Sequence, residues 1–193
     1  HNPGLKRHQT SEISCQQTQE FVSISLTGTQ CALDCKHCGT HVLRGMNDLS
    51  RSQQSLFELC SGLAEQGTRG ILISGGCDRK GRVPIRPHLQ DLLRIRRELG
   101  LKIRIHPGLP DEETSAGLAE LDIDGAMVDI IGDDQTIREV YHLDAVTDDY
   151  DAVMERLSRL GVPLVPHIIL GLHFGKMLGE WKALEMTSKY PLK

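Results

Sequence analysis

A chain of 193 residues, 39% of them hydrophobic, can bury one substantial core, and that length favours a single domain. A net charge of −4 and a pI near 6.1 argue against a nucleic-acid surface, and the local cluster Arg94, Arg96 and Arg97 reads as a solvated helix face. No run approaches the roughly eighteen apolar residues of a membrane span, and the N-terminus lacks the apolar core of a signal peptide, so a cytoplasmic protein with no membrane partner is expected.

Residues 1–20 are polar and read as an N-terminal extension, with one domain over 21–193. Apolar, β-branched runs then recur along the chain: FVSISLTG (21–28), GILISGG (70–76), KIRIHPG (102–108), GAMVDIIG (125–132) and PLVPHIILG (163–171). Each predicts a strand. Between them, Leu56, Leu59, Cys60 and Leu63 fall at helical spacing, as do Tyr150, Val153, Met154 and Leu157; Leu89, Leu92, Leu93 and Leu99 form a looser stripe. Residues 110–121 carry acidic groups in a first helical turn, and Gly100 and Gly161 stand where helices should stop. The tail, 174–193, reads as a further helix, and the turn at Pro191 should deliver a sixth strand beyond the chain shown.

Regular β-then-α alternation with continuous apolar strands implies an α/β fold, its parallel sheet covered by helices and its units right-handed. An open doubly wound sheet and a curled, barrel-like sheet both fit. In either, ligands sit at the C-terminal ends of the strands.

The segment CALDCKHC (31–38) places Cys31, Cys35 and Cys38 directly behind the first strand. Three thiolates on one loop can occupy three corners of a tetrahedral or cubane site. Zinc would want a fourth ligand, for which His37 or His41 is near, but structural zinc sites usually separate two cysteine pairs by a dozen or more residues, and no second pair exists here. A disulfide such as Cys31–Cys35 suits an oxidising compartment instead. Of the other cysteines, Cys60 shares the apolar stripe of its helix and reads as core. Cys15 reads as a surface thiol, and Cys77 as either a packed thiol or a ligand.

CALDCKHC resembles the CxxxCxΦC pattern of the radical S-adenosylmethionine (SAM) enzymes, with His37 at the usually aromatic position. ISGG (73–76) is similar to that superfamily's glycine motif, which receives the amino group of the methionine moiety; Cys77 stands where an acidic residue is usual. HIILGL (167–172) resembles the fifth-strand motif that contacts adenine, although Val165 occupies the place of its first glycine. The resemblance spans about residues 20–172 and implies a partial (β/α)6 TIM-like barrel, truncated before its sixth strand. It also implies a [4Fe–4S] cluster on Cys31, Cys35 and Cys38 and cofactor contacts from His37, Ser74, Gly75, Gly76, His106, Asp129, Ile169 and Gly171. The expected chemistry is one-electron cleavage of S-adenosyl-L-methionine to methionine and a 5′-deoxyadenosyl radical, which abstracts hydrogen from an unactivated carbon.

Within the superfamily, residues 138–176 resemble the biotin synthase and lipoyl synthase branch, and the lead into the first strand together with ISGGCD looks closest to archaeal-type lipoyl synthases of two subunits. That implies sulfur insertion into a small-molecule or protein-bound acyl substrate, at the expense of a second iron–sulfur cluster. A reductant such as ferredoxin or flavodoxin and a second radical SAM subunit are the implied partners. Strand three offers His106, strand five Pro166 and His167, and Cys77 is the remaining inner cysteine, so neither auxiliary ligand set of that branch is complete here. Tyr141 and His142 lie close enough to the fourth strand to approach the cofactor or to face the surface of a helix. The other radical reactions (methylation, rearrangement, cofactor maturation), a non-catalytic iron–sulfur electron carrier and a zinc-stabilised binding module are the alternatives.

Overall fold

The structure, a computed structural model, describes residues 20–193. The expected extension, Cys15 included, lies outside them apart from Glu20.

Six parallel strands form one sheet in the order β2-β1-β3-β4-β5-β6. Five are the predicted runs, trimmed where the chain turns away: β1 (Phe21–Ser25), β3 (Gly70–Ser74), β4 (Lys102–Ile105), β5 (Gly125–Asp129) and β6 (Leu164–His167). The sixth, β2 (Asn47–Asp48), pairs Asn47 with Ile24 and Asp48 with Ser25. Two polar residues have neither the length nor the pattern of a strand, so no sequence signal marks them.

From β3 to β6 the chain steps the same way across the sheet, whereas the two-residue β2 pairs on the outer side of β1. Strand order alone would equally suit a doubly wound sheet with its switch point beside β1; the one cavity that residues at the ends of β3, β4, β5 and β6 line together marks the sheet as a curled wall. The wall is open, with β2 and β6 at its edges. Beyond Pro191 the chain does reach the β6 edge, where Leu192 bridges Leu164 in parallel and the Lys193 N–H donates to the Leu164 carbonyl at 3.0 Å.

One-directional winding puts the helices on one face of the sheet, and alternation along the strands sorts the side chains accordingly. Ile71, Ile73, Ile103, Ile105, Ala126 and Val128 form the convex row beneath the helices, none more than 2% exposed. The opposite row carries Leu72, Ser74, Met127, Asp129 and His167 toward the concave side.

Each helix begins and ends for a local reason. α1 (Leu56–Glu65) opens on a capping box, in which the Ser55 Oγ accepts from the Glu58 N–H and the Glu58 carboxylate accepts from the Ser55 N–H at 2.8 Å. Cys60 lies on its buried face, fully enclosed, as its place in the apolar stripe predicts. α2 (Leu89–Arg94) runs on through a widened turn to Leu99 and stops at Gly100, whose φ of +63° suits glycine. α3 (Glu112–Glu120) is capped by Asp111, whose Oδ1 accepts from the Thr114 N–H at 2.9 Å.

α4 (Asp134–Val140) is a short helix not foreseen from the periodicity, and α5 (Thr147–Arg159) buries the predicted stripe of Tyr150, Val153, Met154 and Leu157. The expected helix over 174–193 contracts to α6 (Glu180–Thr187). Phe174 and Gly175 both take positive φ, and the Glu180 carboxylate accepts the N–H groups of Gly171 and Gly179 at 2.8 and 3.1 Å, which holds the preceding segment as turns. Among the described residues no helix is long and apolar enough to cross a membrane.

Ile73→Ala should cost about 3 kcal/mol of stability, because the tightly packed row around it has little room to collapse; the urea midpoint, with an unchanged slope, is the check.

Candidate active site

The loop from Leu26 to Thr40 leaves β1 at its C-terminal end and folds across the end of β3. Thr27 joins the two, its Oγ1 donating to the Gln30 carbonyl at 2.9 Å and accepting the Gly76 N–H at 2.7 Å. The Ala32 N–H donates to the Cys77 carbonyl at 2.8 Å, and the Cys77 N–H to the Cys31 Sγ at 3.4 Å. A β-carbon on Gly76 would collide with the Gln30 carbonyl and lie 2.7 Å from the Cys31 Cα. Only glycine lets the two backbones touch here.

A second set of tethers comes from the end of α4. The Lys36 N–H donates to the Val140 carbonyl at 2.8 Å, the Cys35 thiol to the Tyr141 carbonyl at 3.5 Å, and the His142 Nδ1 lies 2.9 Å from the Leu33 carbonyl. The Tyr141 ring packs on His37 with centroids 4.5 Å apart. Tyr141 and His142 therefore belong to the scaffold of the cysteine loop. Nothing in the spacing of the sequence announces this: His142 reaches the loop through a positive φ of 54°, and the residues it joins are more than a hundred apart in the chain.

Cys31, Cys35 and Cys38 open on a single cavity of about 790 Å³ at the C-terminal ends of the strands. Ser74, Gly75 and Gly76 line it from β3, His106 from β4, Asp129 from β5 and His167 and Ile169 from β6, with His37 at the loop itself. Gly171 does not line it; its N–H is held by Glu180. All five cysteines among the described residues are free, and the atoms of Cys35, His37 and Cys38 that could ligate lie within 4.8 Å of one another.

Cys35 and Cys38 lie close enough to split their acidities. The Cys35 thiol brings Cys38 down to about 6, whereas Cys38 and burial push Cys35 far above the usual thiol range. A bound cation would draw the proton from Cys35, since metals take thiolates. Burial pushes Cys77 up to about 12, so it remains a thiol. His37 is lowered by burial and is neutral near pH 7. Three thiols on one loop, open to a cavity with no lysine or arginine among its described lining residues, fit an iron–sulfur cube with one corner left for a small ligand.

The far wall holds a separate group. The His106 Nε2 lies 3.4 Å and the His167 Nδ1 3.7 Å from the Asp129 Oδ1, and the Tyr141 hydroxyl donates to the Asp129 Oδ2 at 3.3 Å. Burial works against the Asp129 carboxylate, yet the two imidazoles outweigh it and hold the group well below the usual carboxylate range. Burial likewise lowers His106, but Asp129 overrides it and the net shift is upward.

The sequence profile described as "Radical SAM superfamily" matches residues 25–176. The chain belongs to the radical SAM superfamily. Members hold a [4Fe–4S] cluster and SAM, and they require a reductant and a substrate. No curated protein matches this chain. Among solved structures, the radical SAM fold recurs in HydG, a maturase of the [FeFe]-hydrogenase (TM-score 0.62, 14% identity, 88% of this chain and 38% of that one). Methylornithine synthase (PylB) aligns at TM-score 0.59 and 19% identity over 79% of this chain and 45% of its own. The radical SAM methyltransferase TsrM from Kitasatospora setae, with cobalamin and a [4Fe–4S] cluster bound, aligns at 0.59 and 15% over 84% and 34%. The chain thus spans less than half the length of each, and at these identities the likeness is one of fold.

Gly76→Ala should lower the iron retained after anaerobic reconstitution by more than half, because the added β-carbon displaces Cys31, while the far-ultraviolet dichroism stays near wild type. His142→Ala, which removes one tether of the same loop, should give a smaller loss of iron in the same measurement.

Proposed function

We propose that this chain is a radical SAM enzyme in which Cys31, Cys35 and Cys38 carry the cluster and leave one iron open to SAM. The observation that carries this is the meeting of three thiols with the Gly75–Gly76 turn at the mouth of one cavity. Together the two cofactors supply a carbon radical able to take hydrogen from an unactivated position.

The residues have separable tasks in this scheme. Ser74, Gly75 and Gly76 offer backbone to the methionine end, where the missing side chains allow close approach. His37 covers the cluster side, stacked on Tyr141. His106 and Asp129 form the wall beside the sugar, and Ile169 the apolar surface for adenine; Gly171 contributes by setting the turn that follows Ile169. The apolar side chains that line the cavity, among them Leu33, Leu43, Leu72 and Met127, and the enclosing loop keep water and stray hydrogen donors out, which is the protein's main part in such chemistry.

As the finer reaction we propose sulfur insertion into an acyl chain, in the manner of lipoyl synthases, with a ferredoxin- or flavodoxin-type reductant in the cytoplasm and a second radical SAM subunit. What supports it is the likeness of residues 138–176 to that branch. One observation favours a radical reaction without sulfur insertion, such as methylation, rearrangement or cofactor maturation: Cys77 is the one further thiol in the cavity among the described residues, too few to hold a second cluster.

Iron and sulfide analysis with EPR, on protein reconstituted without oxygen and reduced with and without SAM, separates these outcomes. About four irons per chain and a signal perturbed by SAM are expected for the single cubane, and about eight for an additional sulfur-donating cluster. Changing any of Cys31, Cys35 or Cys38 to Ser should abolish reductive SAM cleavage. A loaded cluster indifferent to SAM would leave an electron carrier and overturn the enzymatic assignment, and colourless zinc in its place would return the loop to a binding module.

A further inference from the structure

We propose that His106, Asp129 and His167 form a second, mononuclear metal site on the wall of the cavity opposite the cysteines, built for a divalent ion of the zinc or ferrous class. These residues end three strands that are neighbours in the sheet, β4, β5 and β6, and Asp129 is in direct register with His167. Their side chains are therefore delivered to one point by the sheet itself.

The spacing of the three side chains suits a bound ion. The two imidazole nitrogens stand 3.4 and 3.7 Å from the Asp129 Oδ1, and all three candidate ligand atoms lie within 4.8 Å of one another. Ligands about 2.0–2.2 Å from a tetrahedral ion stand roughly 3.3–3.6 Å apart. Two histidines and one carboxylate with a position left open are the donor set of catalytic zinc and of non-haem ferrous centres.

The surroundings complete the case. Among the described residues lining this cavity there is no lysine or arginine, and Asp129 is the one carboxylate. Tyr141 already engages the Asp129 Oδ2, which orients the group and leaves Oδ1 toward the histidines, as outer hydrogen bonds do for metal ligands. The side chains of His106, Asp129 and His167 remain 27, 22 and 30% exposed, so an ion there would keep an open face toward the cavity. That open position would take an oxygen- or sulfur-donor group of the substrate and hold it beside the sugar of the cofactor.

Zinc is the probe, applied to the full chain after its cysteines have been loaded with the iron–sulfur cluster and the excess removed. We expect about one zinc per chain in addition to the iron, the stoichiometry of a mononuclear site. His106→Gln and His167→Gln, tested separately, should each lower zinc affinity roughly tenfold or more with iron content unchanged, which also shows that the variants fold. The zinc absorption edge should report nitrogen and oxygen ligands without sulfur. No retained zinc, zinc unmoved by both substitutions, or a sulfur ligand would overturn the site. If iron fails to load, the same assay on a variant with Cys31, Cys35 and Cys38 changed to Ser reports on the histidines alone, so this site and the radical assignment fail separately.

Discussion

The contact between the cysteine loop and the end of β3 is the constraint on which the site depends. Gly76 sits where a β-carbon would overlap the Gln30 carbonyl and crowd Cys31. Thr27 and Cys77 stitch the two segments by three hydrogen bonds at that point. Cys31 is thus held by backbone packing, and Cys35 and Cys38 are set relative to it by the tethers from Val140, Tyr141 and His142.

The sheet supplies the rest through its period of two. Residues of one parity are isoleucines, alanine and valine that fix the wall to its helices, and those of the other parity carry Ser74, Asp129 and His167 into the cavity. A one-residue slip of any inner strand would exchange these roles, placing a carboxylate under helices and an isoleucine at the mouth. The same strands therefore hold the fold together and aim its polar groups. The low-polarity interior that results is also what makes the Asp129 charge and the two histidines act so strongly on one another.

Much of this was legible in the chain. The five long strands, the stripe of α5 and the burial of Cys60 follow from periodicity and composition, because those elements bury continuous apolar surface. The cysteine spacing and the glycine pair after β3 marked the two halves of the site. What escaped detection shares a physical cause: β2 and α4 are short and polar, so their stability comes from partners elsewhere. The tail was misread as one long helix because its apolar residues suggest a stripe, whereas Gly175, Gly179 and the Glu180 carboxylate hold its first part in turns. His106 and His167 were visible as residues at strand ends, but their convergence on Asp129 was not.

By itself the sequence determined the class of fold, the order of its β/α units and the three thiols with the chemistry they favour, since all of these rest on spacing along the chain. The tertiary structure decided that the sheet curls around one cavity, that Tyr141 and His142 brace the loop, and that two histidines and a carboxylate from three strands share one point. Those outcomes depend on pairing order and on contacts between residues from about twenty to over a hundred positions apart, and no local pattern encodes such contacts.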